Sequence, residues 1–284
     1  MMAFFSDIFG YLLNWIYNID FIKNYGVAII IFTILVKIIL LPITMKQQKT
    51  MKKTAKIQEE AKKIQNKYKG NQEKINQETI ELYKREKMSP CSGCFSGIVQ
   101  IILILAVFYL VSQPLTHMRK IDKQYPDLVK NYIEEIKEES PDQNIMYPEI
   151  SVIREKGSQD ERVYINMEFL GLDLSKVPSG NLSNIKVYII PALYVITSII
   201  SIRISTKSNK KVANTNEADS EGEEKSEIDL ATQMNKNMNF VMPIMAVMVA
   251  MVAPLGLALY WLTNNILTIV ERLFIDKYVK EEEE

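Results

Sequence analysis

The sequence predicts an all-α polytopic membrane protein with five spans. Three observations predict it. Apolar runs recur along the chain and alternate with Lys- and Glu-rich segments, and a run of about 20 residues crosses a hydrocarbon core of about 30 Å. The mean hydropathy of −0.03 is an average over these blocks and does not describe a soluble domain. Lysine and arginine crowd between the first two runs, with 13 of them from position 46 to 87, which is the asymmetry that orients spans.

Residues 1–24 are aromatic and mixed-polar, with Asp7, Asn14, Asn18 and Asp20 interrupting the apolar positions. This pattern predicts an interfacial amphipathic helix rather than a span, and it lacks the basic region and small-residue cleavage site of a signal peptide. Residues 25–45 form the first span, with Lys37 inside it. A charge at that depth costs several kcal/mol on insertion scales, so it faces water, a partner or a bundle interior. Thr33 lies on the same helical face. Lys37 is about 12 Å from the helix end, a long reach for a side chain that snorkels to the headgroups. A wet cavity is the sharper reading and snorkelling the plainer one.

Residues 46–94 are expected to hold a basic helical hairpin. Ile57, Ala61, Ile64 and Tyr68 form one stripe, Ile75, Thr79, Leu82 and Met88 a weaker one, and Lys69-Gly70-Asn71 marks the turn. Such a narrow seam suits a two-helix coiled coil. Its outer face, with Lys52, Lys53, Lys56, Lys62 and Lys63, is either a solvated surface or a recruitment arm for nascent chains, targeting machinery or acidic headgroups.

Residues 95–115 form the second span, with Gln100 near its start. Residues 116–184 form an aqueous loop, and residues 185–204 the third span, with Thr197, Ser198 and Ser201. Residues 205–236 are polar and acidic and read as a disordered linker. Within residues 237–275, the run 240–270 is long for one span and short for two full ones. Pro254-Leu255-Gly256 is a turn signal, and Lys236 and Arg272 flank both ends, so a tight two-span hairpin is expected. Residues 276–284 form an acidic tail. The positive-inside rule puts the N-terminus outside, the basic hairpin in the cytoplasm, the 116–184 loop outside and the C-terminus in the cytoplasm.

The last span carries Tyr260, Trp261, Thr263, Asn264, Asn265 and Thr268, and Trp261, Asn264, Asn265 and Thr268 share one face. Such residues glue helices together at about 0.6–2 kcal/mol per bond, and they can equally line a hydrophilic groove. Motif-bearing enzyme chemistry is absent from the sequence: there is no phosphate loop, no His-Glu-x-x-His and no nucleophile elbow. The single His117 has no identifiable partners for a catalytic network. Cys91 and Cys94 lack two further zinc ligands. No metal, cofactor or specific nucleic acid is expected.

Four stretches resemble one family. They are residues 26–47 (GVAIIIFTILVKIILLPITMKQ), 89–100 (SPCSGCFSGIVQ), 169–175 (FLGLDLS) and 242–261 (MPIMAVMVAMVAPLGLALYW). Together they resemble the YidC-type membrane protein insertases of the YidC/Oxa/Alb superfamily, in the short form of Gram-positive members. The resemblance implies a bacterial plasma-membrane insertase and chaperone that is not an enzyme. Its five-span core would enclose a groove open to the cytoplasm and to lipid, and it would move short hydrophilic segments without nucleotide hydrolysis. Lys37 would be the groove cation, at a position that is usually Arg in the family. Thr33, Gln100 and Trp261 would line the groove, joined by Ser201, Tyr260 and Asn264. Ser201 stands where many members have Gln, and Ser96 replaces the usual Pro. Nascent membrane proteins and anionic lipids are the implied partners, with the ribosome, targeting machinery and the Sec translocon as further candidates. The acidic tail departs from the basic, ribosome-associated tail of several members. A membrane-protein assembly scaffold and a small-solute transporter are the competing readings.

Overall fold

The computed structural model describes residues 2–87, 92–141, 145–181, 183–210 and 247–281. Of the linker expected at 205–236, residues 205–210 instead continue a helix, and residues 211–236 lie outside the described residues, as do the first residues of the last hairpin, the end of the tail and Cys91.

α1 (Met2–Tyr17) sorts its residues sharply. Phe4, Ile8, Tyr11 and Trp15, at helical spacing, are exposed, whereas Ser6, Leu13 and Ile16 are fully buried. Ser6 donates to the Ala106 carbonyl at 2.9 Å. Gly10 sits against the backbone carbonyl of His117, where any Cβ would collide.

α2 runs without a break from Tyr25 to Lys67. The change in composition at 45/46 therefore falls within one continuous helix. Lys, Gln, Glu and Ala after Met45 are all good helix formers. Pro42 lies inside the helix, a position that helices in a membrane tolerate. The helix ends before Gly70, whose φ of +94° makes the turn. α3 (Gln72–Arg85) then returns, with the Asn71 side chain accepting from the Lys74 amide. Ile57, Ala61 and Leu82 form the seam between the arms, with Ile64 and Tyr83 against it. The Arg85–Glu60 pair at 2.8 Å ties the outer surface.

α4 (Ser92–Ser112) stops where Pro114 removes a backbone donor, three residues short of the expected end. α5 (Pro114–His117) follows, then α6 (Ile121–Gln124), α7 (Leu128–Glu139) and α8 (Pro148–Lys156). These short helices make the 116–184 segment a folded polar cap. Buried Glu149 accepts from the Leu115 and Thr116 amides and the Thr116 hydroxyl at 2.6–3.0 Å, satisfying the first amides of α5.

β1 (Glu168–Phe169) and β2 (Leu172–Asp173) pair antiparallel around Leu170 and Gly171, both at positive φ, a two-residue hairpin turn. The segment around this hairpin holds the starts of two long helices. The Asn166 carbonyl accepts from the Tyr25 amide at 3.0 Å, and the carbonyls of Leu174 and Lys176 accept from Gly256 and Leu255 at 2.9 Å. Helix N-termini carry unpaired amides, so one stretch of chain fixes α2 and the final helix at a common level.

α9 spans Ile189–Lys210, after a helical turn at Ile185–Tyr188. Residues 247–252 are helical, and the chain turns at Ala253-Pro254 into α10 (Leu255–Glu281), so the turn lies where the sequence signals it. α10 packs on α9 and α2. Tyr25, Ile29, Phe32, Leu110, Leu115, Leu255 and Leu257 form the centre of the core.

Residues 25–67 and 185–204 are helical stretches long and apolar enough to cross a membrane. The outward faces of the helices carry Ile38, Ile39 and Ile43 on α2, Ile101 on α4, Ile196 and Ile200 on α9, and Val270, Leu273 and Phe274 on α10, all exposed. An apolar belt of this extent belongs in lipid rather than water.

Candidate functional site

Lys37 is the thirteenth residue of α2 and Thr268 the fourteenth of α10. At 1.5 Å per residue they stand about 18 Å and about 20 Å from helix starts that the same segment fixes. The two side chains therefore meet. Lys37 Nζ donates to Thr268 Oγ1 at 2.8 Å and to Glu271 Oε2 at 3.2 Å. Thr268 donates its own hydroxyl hydrogen bond to the Asn264 carbonyl at 2.7 Å. The Lys37 side chain keeps 22% of its surface exposed and Glu271 only 6%. Glu271 Oε1 is buried and has no hydrogen-bond partner among the described residues. The site is thus a half-open cation held by a nearly enclosed carboxylate.

The other expected site residues divide. Thr33, one turn before Lys37, is buried and donates to the Ile29 carbonyl. Trp261 is half-buried and packs its ring 5.6 Å from Tyr194 of α9. Tyr260 is 6% exposed and belongs to the apolar core. Ser201 is half-buried on α9. Gln100 lies in α4, with its side chain outside the described residues. Asn264 joins the cluster through its carbonyl.

Most in-span hydroxyls bond their own helix. Thr33, Thr197, Thr263 and Thr268 all donate to the carbonyl four residues earlier. Among side chains that bridge helices, Asn265 donates to Ser198 Oγ at 2.7 Å. The Lys37 cluster adds an ionic contact between α2 and α10.

Glu271 is the site residue that the sequence reading missed. Positions 261, 264, 268 and 271 are spaced by three, four and three residues, so Glu271 continues the polar face of the last span. Arg272 beside it draws attention to the flank instead.

On the basic hairpin, Lys53 bonds the Glu86 carbonyl at 2.8 Å and Lys63 pairs with Glu59 at 3.2 Å. Lys56 and Lys62 are exposed, and the Lys52 side chain lies outside the described residues. His117 has a partner distant in sequence: its Nδ1 lies 2.9 Å from Asp7 Oδ1, which also meets Lys120 at 2.5 Å. Burial raises the Asp7 carboxyl, but Lys120 and His117 outweigh it and hold the group below its ordinary value. In the cap, Arg162 grips Asp160 through Nε and Nη2 at 2.8–3.0 Å and holds its carboxyl down at about 2, against a smaller rise from burial. Among the described residues no group of His, Cys, Asp and Glu could hold a metal ion.

The chain matches the family model described as 60Kd inner membrane protein over residues 15–283. It is 26% identical to the membrane protein insertase YidC of Fusobacterium nucleatum over 90% of this chain and 88% of that one. It is 25% identical to that of Rickettsia felis over 94% of this chain and 38% of the relative. With the Buchnera aphidicola protein of the same name it shares 43% identity over 35% of this chain and 18% of that one. The chain thus spans most of the Fusobacterium relative and well under half of the other two.

Proposed function

This chain belongs to the 60Kd inner membrane protein family, and from that premise we propose that it is a membrane protein insertase of a bacterial plasma membrane, working without nucleotide hydrolysis. Relatives that carry the name insertase, one of them matched nearly end to end, support this reading. In it, five spans comprise the apolar part of α2, α4, α9 and the two arms of the last hairpin. The N-terminus and the cap lie outside, and the C-terminus lies in the cytoplasm. The continuation of α2 beyond Met45, with α3, is then a rigid cytoplasmic arm whose exposed lysines meet nascent chains or anionic headgroups first.

The observation that carries the mechanism is the contact of Lys37 with Thr268 and Glu271. A lone cation here would be costly; Glu271 neutralises it at rest. An acidic residue in a short hydrophilic substrate segment, arriving from the cytoplasm, competes with Glu271 for Lys37. Thr268 and the free oxygen of Glu271 replace part of the segment's hydration, which lowers the cost of moving polar groups inward. The adjoining apolar segment then partitions into lipid. That burial, together with the membrane potential acting on the acidic residue, drives the step. In this reading Gln100, Ser201 and Trp261 lie along the same path.

The test is a photo-reactive residue at Asn264, illuminated while a single-span substrate is being synthesised. Short-lived adducts with many nascent chains support the insertase. Adducts confined to a few mature membrane proteins would make the chain an assembly scaffold.

A further inference from the structure

We propose that the cavity between α8, residues 175–181 and the turn of the last hairpin binds the phosphate-bearing headgroup of an anionic phospholipid. It encloses about 570 Å³, within the range of small-ligand sites of about 300–1,000 Å³. Arg154 and Lys176 line it, and among the described residues no carboxylate does. Arg154 bonds Glu155 through Nε at 2.8 Å, which leaves its two terminal nitrogens as a fork for phosphate oxygens. Lys176 forms no ion pair among the described residues, and Ser151 and Ser179 add hydroxyls to the lining.

The lining is also partly apolar. Met146 and Val252 belong to it and are exposed. Val252 ends the helical stretch 247–252, just before the turn. A ligand that is anionic at one end and apolar at the other matches this mixed lining. The adjoining cavity of about 280 Å³ also touches Lys176, but Glu168 and Asp173 line it too, and it carries no such preference for an anion. The inference uses the reading that the hairpin turn lies at a membrane surface, and it does not depend on insertase activity.

The test is native mass spectrometry of the full chain in a neutral detergent, titrated with phosphatidylglycerol or phosphatidylcholine, with inorganic phosphate as competitor. The expected result is one retained phosphatidylglycerol, preferred about tenfold over phosphatidylcholine and weakened about tenfold in Arg154→Gln and separately in Lys176→Gln. Lys130→Gln, an exposed change on α7, should bind as wild type does. The thermal transition of each variant identifies any that misfolds, and the other is then read. Equal retention by both charge variants would overturn the proposal. Displacement of the lipid by millimolar inorganic phosphate would also overturn it, because the site would then serve free phosphate. Insertion measured on the same preparations is unaffected by either failure.

Discussion

Lys37 on α2 and Glu271 on α10 face each other at 3.2 Å although 234 positions separate them in the chain. Their meeting depends on a third element. The carbonyls of Asn166, Leu174 and Lys176 fix the first turns of both helices, and the shared level brings position 37 opposite positions 268 and 271. The motif at 169–175 is therefore tied to the charged site although it lies about 18 Å from it along α2.

Removing one member of this pair should be worse than removing both. Lys37→Met leaves a nearly enclosed carboxylate without its cation, and breaking such a pair costs about 3–5 kcal/mol. The double variant Lys37→Met/Glu271→Met should recover most of that loss. Thermal unfolding in detergent of the two single variants and the double one checks this. A double variant no more stable than Lys37→Met would show that the pair is not energetically coupled.

Gly10 is a packing constraint. A methyl group there meets the His117 carbonyl, a backbone atom that cannot rotate away. Gly10→Ala should push α1 from α5 and destabilise the protein by about 1–3 kcal/mol, as overpacking does. A wild-type melting temperature for this variant would contradict the close approach of α1 to α5.

The hairpin arms depend on a narrow seam. Leu82→Ala removes the main α3 residue between Ile57 and Ala61. Core truncations of this kind cost about 2–5 kcal/mol, and the seam is small, so α3 should open locally. Amide exchange should speed up across Gln72–Arg85 while α9 and α10 stay protected. Equal acceleration throughout the chain would mean that the arm is not an independent unit.

The cap contains an acid-sensitive pair. Arg162, outweighing the rise from burial, holds Asp160 at about 2, below its ordinary 3.8. A depressed folded value stabilises above the unfolded value. The contribution should be complete above about pH 4 and should fade as pH falls toward 2. Arg162→Gln should return Asp160 toward 3.8, as read by carboxyl NMR. An unchanged low value would assign the depression to some other group.

The long-range plan is legible in the sequence because each feature has a local signature. Apolar length marks α2 and residues 185–204, Gly70 marks the hairpin turn, and Pro254 marks the turn before α10. The continuity of α2 through 45/46 is not legible, because composition changes there while helix propensity does not. Lys37 is visible as a lone charge in an apolar run. Glu271 is less visible, since it sits beside Arg272 where a span looks finished. The His117–Asp7 pair is invisible locally because it joins residues 110 positions apart.

The central claim is that Lys37 attracts acidic substrate segments into the membrane. It is tested most directly with purified protein in liposomes, by protease protection of a single-span substrate with an acidic N-terminal tail. Wild type should insert it. Lys37→Arg should retain most of the activity, and Lys37→Glu should lose it. The loss should shrink when the substrate's acidic residues are made neutral. Equal insertion of the acidic substrate by wild type, Lys37→Arg and Lys37→Glu would contradict the account and leave Lys37 as a packing partner of Glu271.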